Sequence, residues 1–147
     1  MTSHVQQVDS EMAMQLLFQG KHAVNRAAHA AAQQLDESAL TRGQITIHPQ
    51  QAREVAAKYL QSNLALDSTG QPLPGSFVRD RVEVLVFEVI SEGVIFPYTY
   101  KNDQYDYEVT LDKPGVILII KLAYPRQWTA LARMEWEIKG AAELILR

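Results

Sequence analysis

The spacing of the apolar residues changes once along this chain, and that change constrains the fold more than any other feature. In the first part they recur at intervals of three and four residues, which is typical of helices buried on one side. From Val82 onward they recur at every second residue, which is typical of strands. Helices that precede the strands favour an antiparallel sheet over alternating parallel βαβ units. The sequence therefore predicts a single α+β domain over residues 1–147, with a helical part at 1–66, a loop at 67–81 and an antiparallel sheet of four to five strands at 82–147.

The first part of the chain predicts two helices packed on that sheet. Between Met12 and Leu40 there is no proline, and alanine, which has the highest helix propensity, dominates the middle of the segment. We expect one long helix over residues 9–41 that stops before Gly43. Pro49 suits the first position of a second helix over residues 49–62, because the missing N–H would have no partner there anyway.

Two segments rich in tyrosine predict a β-hairpin. Residues 105–112 alternate strictly between apolar and polar, and residues 94–100 can fold back on them across the loop 101–104. All apolar residues then share one face, in four cross-strand pairs: Tyr100 with Tyr105, Tyr98 with Tyr107, Phe96 with Val109 and Val94 with Leu111. Pro97 has no N–H to donate, so we expect its strand to be an edge or to be bulged at that point.

Three further segments complete the predicted sheet. Residues 82–90 and 116–124 are apolar on both faces, as strands covered on two sides are. Residues 134–139 alternate again, and Gly140 interrupts their phase, which predicts a β-bulge.

Composition and motifs exclude several classes of function. A net charge of −3 does not provide the basic surface that nucleic-acid binding needs, so no nucleic-acid partner is expected. The absence of cysteine removes disulfides, thiol nucleophiles and cysteine-ligated metals. Phosphate-binding glycine loops and the H-E-x-x-H zinc motif are also missing. We therefore expect no enzyme, no cofactor and no metal; a hydrolase with a dispersed catalytic triad would leave no such pattern and stays a third possibility.

The polar residues that could bind a metal are unfavourably spaced. His22 and His29 share one side of the first helix but lie two turns apart, roughly 10 Å along its axis, whereas a helical zinc pair is one turn apart. The loop around Asp103 and Asp106 offers oxygens without the ordered pattern of a calcium loop. We interpret these groups as a solvated helix side and a polar hairpin tip.

Two surfaces remain as candidates for binding another molecule. Small side chains on the first helix would allow another backbone to approach closely, and the candidate interaction face consists of Ala23, Ala27, Ala30 and Ala31. On the hairpin, an alternative binding face for a glycan, peptide or protein consists of Tyr98, Tyr100, Tyr105 and Tyr107. Each set has a simpler explanation, in helix propensity for the alanines and in cross-strand packing for the tyrosines.

The order of these segments resembles a known family. The run HAVNRAAHAAAQQLD (22–36), a glycine turn, the extended TIHP and the helix QQAREVAAKYLQSNLAL (50–66) are similar to the region after the membrane anchor in TadE/TadG-like pilus-assembly proteins, which are minor pseudopilin-like proteins. The resemblance implies a pseudopilin-like α+β head that is extracytoplasmic. It also implies that the head meets the membrane only through an anchor that this chain does not include, so we expect these residues to be the soluble part of a longer protein.

The leading hypothesis is therefore a non-enzymatic structural or assembly protein. Its partners would be protein subunits, either copies of itself or pilin-like chains, which it would contact through the alanine-rich first helix. The alternative hypothesis is a soluble binding module that uses the tyrosine-rich hairpin.

Overall fold

The helices and strands occur in the order that the sequence predicts. The structure is a computed structural model that describes the backbone of residues 2–124 and 134–146 and the side chains of residues 11–123 and 135–146. The parts of the predicted domain at residues 1, 125–133 and 147 lie outside the described residues. The described elements are α1 (Thr2–Ala32), α2 (Glu37–Leu40), α3 (Pro49–Leu64), β1 (Glu83–Ile90), β2 (Tyr98–Asn102), β3 (Tyr107–Leu111), β4 (Gly115–Tyr124) and β5 (Met134–Glu143).

These elements form three layers around β4. The strands β1, β4 and β5 form an antiparallel sheet with β4 in the middle, and β2 pairs with β3 in a separate antiparallel sheet. One face of β4 contributes Val116, Leu118 and Ile120 to a core shared with α1 and α3. The other face contributes Ile117 and Ile119 to a second core under the β2–β3 hairpin. The predicted α+β class with an antiparallel sheet is confirmed, with the strands divided into three plus two.

The predicted single helix over residues 9–41 is wrong at both ends, because α1 begins and ends earlier and α2 is separate. The break lies at Asp36, whose extended backbone (ψ 101°) cannot continue a helix. Its carboxylate instead accepts a hydrogen bond from the Ala39 N–H at 3.1 Å and caps α2. The same break allows Leu35 to form a β-bridge with Ile47.

The second long helix, α3, begins where the sequence predicts. Pro49 occupies its first turn, and the Nδ1 atom of His48 accepts the Gln51 N–H at 3.1 Å as the N-cap. The helix runs slightly beyond the predicted end, to Leu64. There Ala65 adopts a left-handed conformation (φ 53°), which is a common way to end a helix.

The hairpin keeps the predicted face but not the predicted register. Tyr98 lies opposite Leu111 instead of Tyr107, and the other pairs shift by the same amount. The turn forms later in the chain than expected, because the Asn102 Oδ1 accepts the Tyr105 N–H at 3.1 Å and closes it. A shift by an even number of residues leaves every side chain on the same face, so alternation alone could not reveal it.

Three irregular positions also differ from expectation. Gly140 marks no bulge, because the β4–β5 register is continuous and places it opposite Leu118. The bulge lies in β1, between Val84 and Val86. Pro97 precedes β2 instead of lying within it, and it follows a cis peptide bond. The strand β2 itself is an edge of a two-stranded sheet, in agreement with the first of the two alternatives expected for it.

Candidate interaction surfaces

The alanines predicted as an interaction face lie inside the chain. Ala23, Ala27 and Ala31 have 0% exposure, and Ala30 is half-buried. The three buried alanines belong to the core that α1 shares with α3 and the sheet. Their burial corrects the interpretation of this set as an external surface: in this fold it is an internal packing surface.

The alanines occur on more than one side of α1 because the helix has neighbours on more than one side. It packs against α3 as well as against β4 and β5. Small side chains permit short distances between the axes of packed elements. At Gly20 the sheet is so close that a Cβ would meet the side chains of Ile138 and Leu122. The excess of alanine is therefore explained by contacts within this chain.

The tyrosines of the hairpin mostly turn inward. Tyr100 is buried in the second core, and Tyr105 and Tyr107 are half-buried against it. Tyr98, with 36% exposure, is the most exposed of the four. The rings of Tyr100 and Tyr107 lie 6.5 Å apart with an interplanar angle of 58°, an arrangement in which aromatic rings attract each other. They line a core rather than an aromatic platform.

Burial also controls the ionisation of these rings. The pKa of Tyr100 is raised mainly by desolvation, and a hydrogen bond with Glu88 raises it further. The Asn102 Nδ2 donates to the Tyr100 hydroxyl at 3.0 Å and acts in the opposite direction. Desolvation likewise raises the pKa of Tyr107. Both phenols are therefore held in the neutral form, which suits packing.

The histidines are dispersed. His22 and His29 are exposed on α1, and His48 caps α3 through Nδ1. No group of three or more His, Cys, Asp or Glu residues suited to a metal ion occurs in the part of the chain that the structure describes. At the hairpin tip, the Asn102 oxygen is already occupied by the Tyr105 N–H.

A cavity that the sequence analysis did not single out lies where α3 ends and β1 begins. It has a volume of about 560 Å³, and the loop from Asp67 to Gly70 forms one wall. Arg81 also lines the cavity; it donates from Nε to the Thr69 carbonyl at 3.0 Å and lies 3.8 Å from a Glu83 oxygen. The polar groups of the walls thus bind one another.

Asp67 shapes this loop. Its Oδ1 accepts hydrogen bonds from the Thr69 N–H at 2.8 Å, from the Thr69 hydroxyl at 2.7 Å and from the Gln71 N–H at 3.0 Å. The hydroxyl bond is the main cause that lowers the pKa of Asp67, and the backbone N–H bonds add to it. The D-S-T-G sequence carried the signal for this turn, because aspartate side chains commonly accept N–H groups two residues on.

A different part of α1 exposes large apolar side chains. Met14 and Phe18 lie one turn apart with 46% and 62% exposure. The half-buried Leu17 of the same helix lines a groove against β5, together with Lys21 and the half-buried Trp136. We call Met14, Leu17 and Phe18 the α1 patch. The sequence alone does not distinguish this patch as a surface, because its residues merge into the apolar pattern of a long helix.

Comparison of the chain with protein-family models, with curated proteins and with solved structures finds no match. Among the described residues, no helix combines the length and the apolar character that crossing a membrane requires.

Proposed function

We propose that this chain is a non-enzymatic structural or assembly protein that binds a pilin-like subunit through the α1 patch. The first helix remains the contact element, but the contacting residues are the exposed ones of the α1 patch and not the buried alanines. The observation that carries it is the exposure of Met14 and Phe18, one turn apart on the helix whose Leu17 lines the groove against β5. Adjacent apolar side chains that face water commonly mark protein contacts.

The groove suggests the shape of the partner. Leu17, Trp136 and Ile138 provide its apolar lining. The rest of the lining is polar or charged: Lys21, Asn25, Glu135, Glu137 and Lys139. A groove of this kind suits an amphipathic helix, which would insert its apolar stripe and keep its charged residues at the rim. The resemblance to pilus-assembly proteins implies a pilin-like subunit as the source of such a helix.

The resemblance to TadE/TadG-like pilus-assembly proteins supports the class of partner and the location. In this proposal the chain is the extracytoplasmic head of a membrane-anchored protein, and the α1 patch contacts a neighbouring subunit of the same assembly. The residues that carry the resemblance, 22–36 and 50–66, fold into the C-terminal half of α1 and into α3.

Photo-crosslinking in the cells that make the protein tests this proposal. A photoreactive phenylalanine analogue replaces Phe18, which keeps an aromatic ring at that position. We expect a covalent adduct with a second protein, which mass spectrometry identifies from its peptides. The Met14→Gln substitution in the same chain should lower the yield of that adduct.

Two control positions make the result specific. Ile95 is 88% exposed in the segment between β1 and β2, and the same analogue there should give no adduct above background. Position 98 tests the alternative binding module, because Tyr98 is the exposed ring of the hairpin. Adducts from position 98 with a molecule other than a second copy of this chain, without adducts from position 18, would favour that module. Adducts with lipid alone would contradict both proposals.

A further inference from the structure

β1 is an edge strand whose apolar side chains are incompletely covered. All its residues are apolar except Glu83 and Glu88, yet none of them is buried. Val84 is 51% exposed, whereas the neighbouring strand β4 has 0% exposure from Val116 to Ile120. The sequence predicts a strand covered on both sides here, and the structure shows one without a neighbour on its outer side among the described strands.

A groove follows this free edge on each side. On the helix side, the groove is lined by Phe87 and Val89 of β1 and by Arg53 and Glu54 of α3. The Arg53 guanidinium lies 5.0 Å from the centre of the Phe87 ring. The helix side of the edge therefore presents apolar surface together with one cation and one anion.

The groove on the hairpin side of β1 likewise combines apolar and charged residues. Its groove is lined by Val86 and Glu88 of β1 and by Tyr98 and Lys101 of β2. Lys101 also lies 3.8 Å from the exposed Asp103. Each side of the edge thus combines apolar surface with charges of both signs.

The two edges of the three-stranded sheet are protected to different degrees. Natural sheets block unwanted pairing with charged residues, prolines and bulges along edge strands. β5 carries Glu135, Glu137 and Lys139 in sequence alternation, and α1 packs across it. β1 contains neither lysine nor proline, and its bulge lies near its start. β1 is the edge that is suited to accept another strand.

We propose that β1 pairs in antiparallel fashion with β1 of a second copy of this chain, which joins two sheets into one across a twofold axis. A twofold axis sets a surface against itself, so an edge with charge of one sign would repel its copy. Here Arg53 and Glu54 on one side, and Lys101 and Glu88 on the other, make each groove self-complementary. That complementarity favours a second copy over a partner of strong charge.

The order of residues in β1 permits this pairing. A register centred on Val86 or Phe87 places Glu88 opposite Val84 or Val86 of the second copy, so that no glutamate faces a glutamate. Alternate residues of an antiparallel edge direct both N–H and C=O outward, and these groups would gain partners. The α1 patch is separate from this edge, because its Leu17 lines the groove against β5, the strand at the opposite edge of the sheet.

Sedimentation velocity of the purified chain over a range of concentrations tests the proposal. We expect a reversible monomer–dimer equilibrium. Glu88→Lys leaves two cations in each hairpin-side groove and should raise the dimer dissociation constant by about tenfold, a change equivalent to about 1.4 kcal/mol. The double variant Glu88→Lys with Lys101→Glu restores one charge of each sign and should restore the dimer.

Control variants distinguish the edge from other causes. Asp112→Lys makes the same change of charge after β3 and should leave the dimer unchanged, and circular dichroism verifies that each variant is folded. Phe18→Gln should also leave it unchanged, which separates this inference from the proposed function. A chain that stays monomeric at all concentrations, a dimer that tolerates both Glu88→Lys and Val84→Lys, or open-ended aggregates in place of dimers would each overturn the proposal.

Discussion

Gly140 of β5 lies so close to Val24 of α1 that a Cβ at position 140 would come within 2.6 Å of the Val24 Cγ1. Val24 has 0% exposure, and its branched side chain has little rotational freedom in a helix. Only a residue without a side chain therefore lets α1 rest on β5 at this distance. The glycine that looks like a break in the alternation is the place where helix and sheet meet.

Gly140→Ala should destabilise the chain because the added methyl group overpacks this contact. We expect a loss of about 1–3 kcal/mol in the free energy of unfolding. Urea unfolding measures it as a lower midpoint with an unchanged slope. In a Val24→Ala background the same substitution should cost much less, because the clashing methyl is gone. An equal cost in both backgrounds would show that Val24 is not the cause.

Ala27→Leu tests whether the alanines are internal. Ala27 has 0% exposure in the core of α1, α3 and the sheet, so a larger side chain has no space. We expect a destabilisation of about 1–3 kcal/mol, measured by urea or thermal unfolding. His29→Leu, at an exposed position of the same helix, is the control and should change stability by less than about 0.5 kcal/mol. An Ala27→Leu variant as stable as the unmodified chain would show that Ala27 lies at the surface and would contradict the prediction.

Most of the fold could be predicted from the sequence, because local patterns determine most of its helices and strands. Alternation and helical spacing gave both long helices and the antiparallel class, and Pro49 marked the start of α3. The break at Asp36 was missed because Ala31, Leu35 and Ala39 continue the helical spacing across it, while the capping bond depends on the fold of the next residues. The register of β2 on β3 was missed because alternation is unchanged by an even shift.

The candidate surfaces were harder to predict, because exposure is a property of the assembled layers. Ala27 and Phe18 both belong to the apolar pattern of α1, yet the first is buried and the second is 62% exposed. Tyr100 and Tyr98 share one face of the hairpin, yet only Tyr98 is exposed, because the sheet covers the Tyr100 ring. Which part of a face meets another layer depends on contacts between residues far apart in sequence.

Ser91→Ala should loosen the connection between the segment before α3 and the end of β1. The Ser91 hydroxyl oxygen accepts the Ile47 N–H at 2.9 Å, and both residues are buried. Its removal leaves a buried backbone donor without this partner, which costs about 1–3 kcal/mol in stability. Hydrogen exchange should show faster exchange of the Ile47 amide. Ser38→Ala, at an exposed position of α2, is the control, and an unchanged Ile47 amide in Ser91→Ala would contradict the prediction.

Alkaline pH should destabilise the chain through Tyr100. Desolvation raises the pKa of this phenol in the folded state above the ordinary value of 10.0, so the neutral form is favoured by folding. That contribution is complete below pH 10.0 and is lost as the pH rises through the folded-state pKa. Unfolding measured along this range should show a decline that is shallower in Tyr100→Phe, with a smaller remaining effect from Tyr107. An identical decline in Tyr100→Phe would assign the pH dependence to other groups.

At acidic pH the stability of the loop should depend on Asp67, whose contribution is lost as the pH falls and not as it rises. The hydroxyl of Thr69 and the neighbouring N–H groups lower the pKa of Asp67 below 3.8, so the loop is stabilised by the charged carboxylate. The contribution is present above pH 3.8 and is lost as the pH falls through the lower folded-state value. In NMR titrations we expect the Thr69 amide to follow Asp67 with a midpoint below 3.8. Asp67→Asn keeps an oxygen acceptor, so it should preserve the loop and remove the titration, whereas Asp67→Ala should speed hydrogen exchange at Thr69. A midpoint at or above 3.8 would show that these hydrogen bonds do not stabilise the carboxylate.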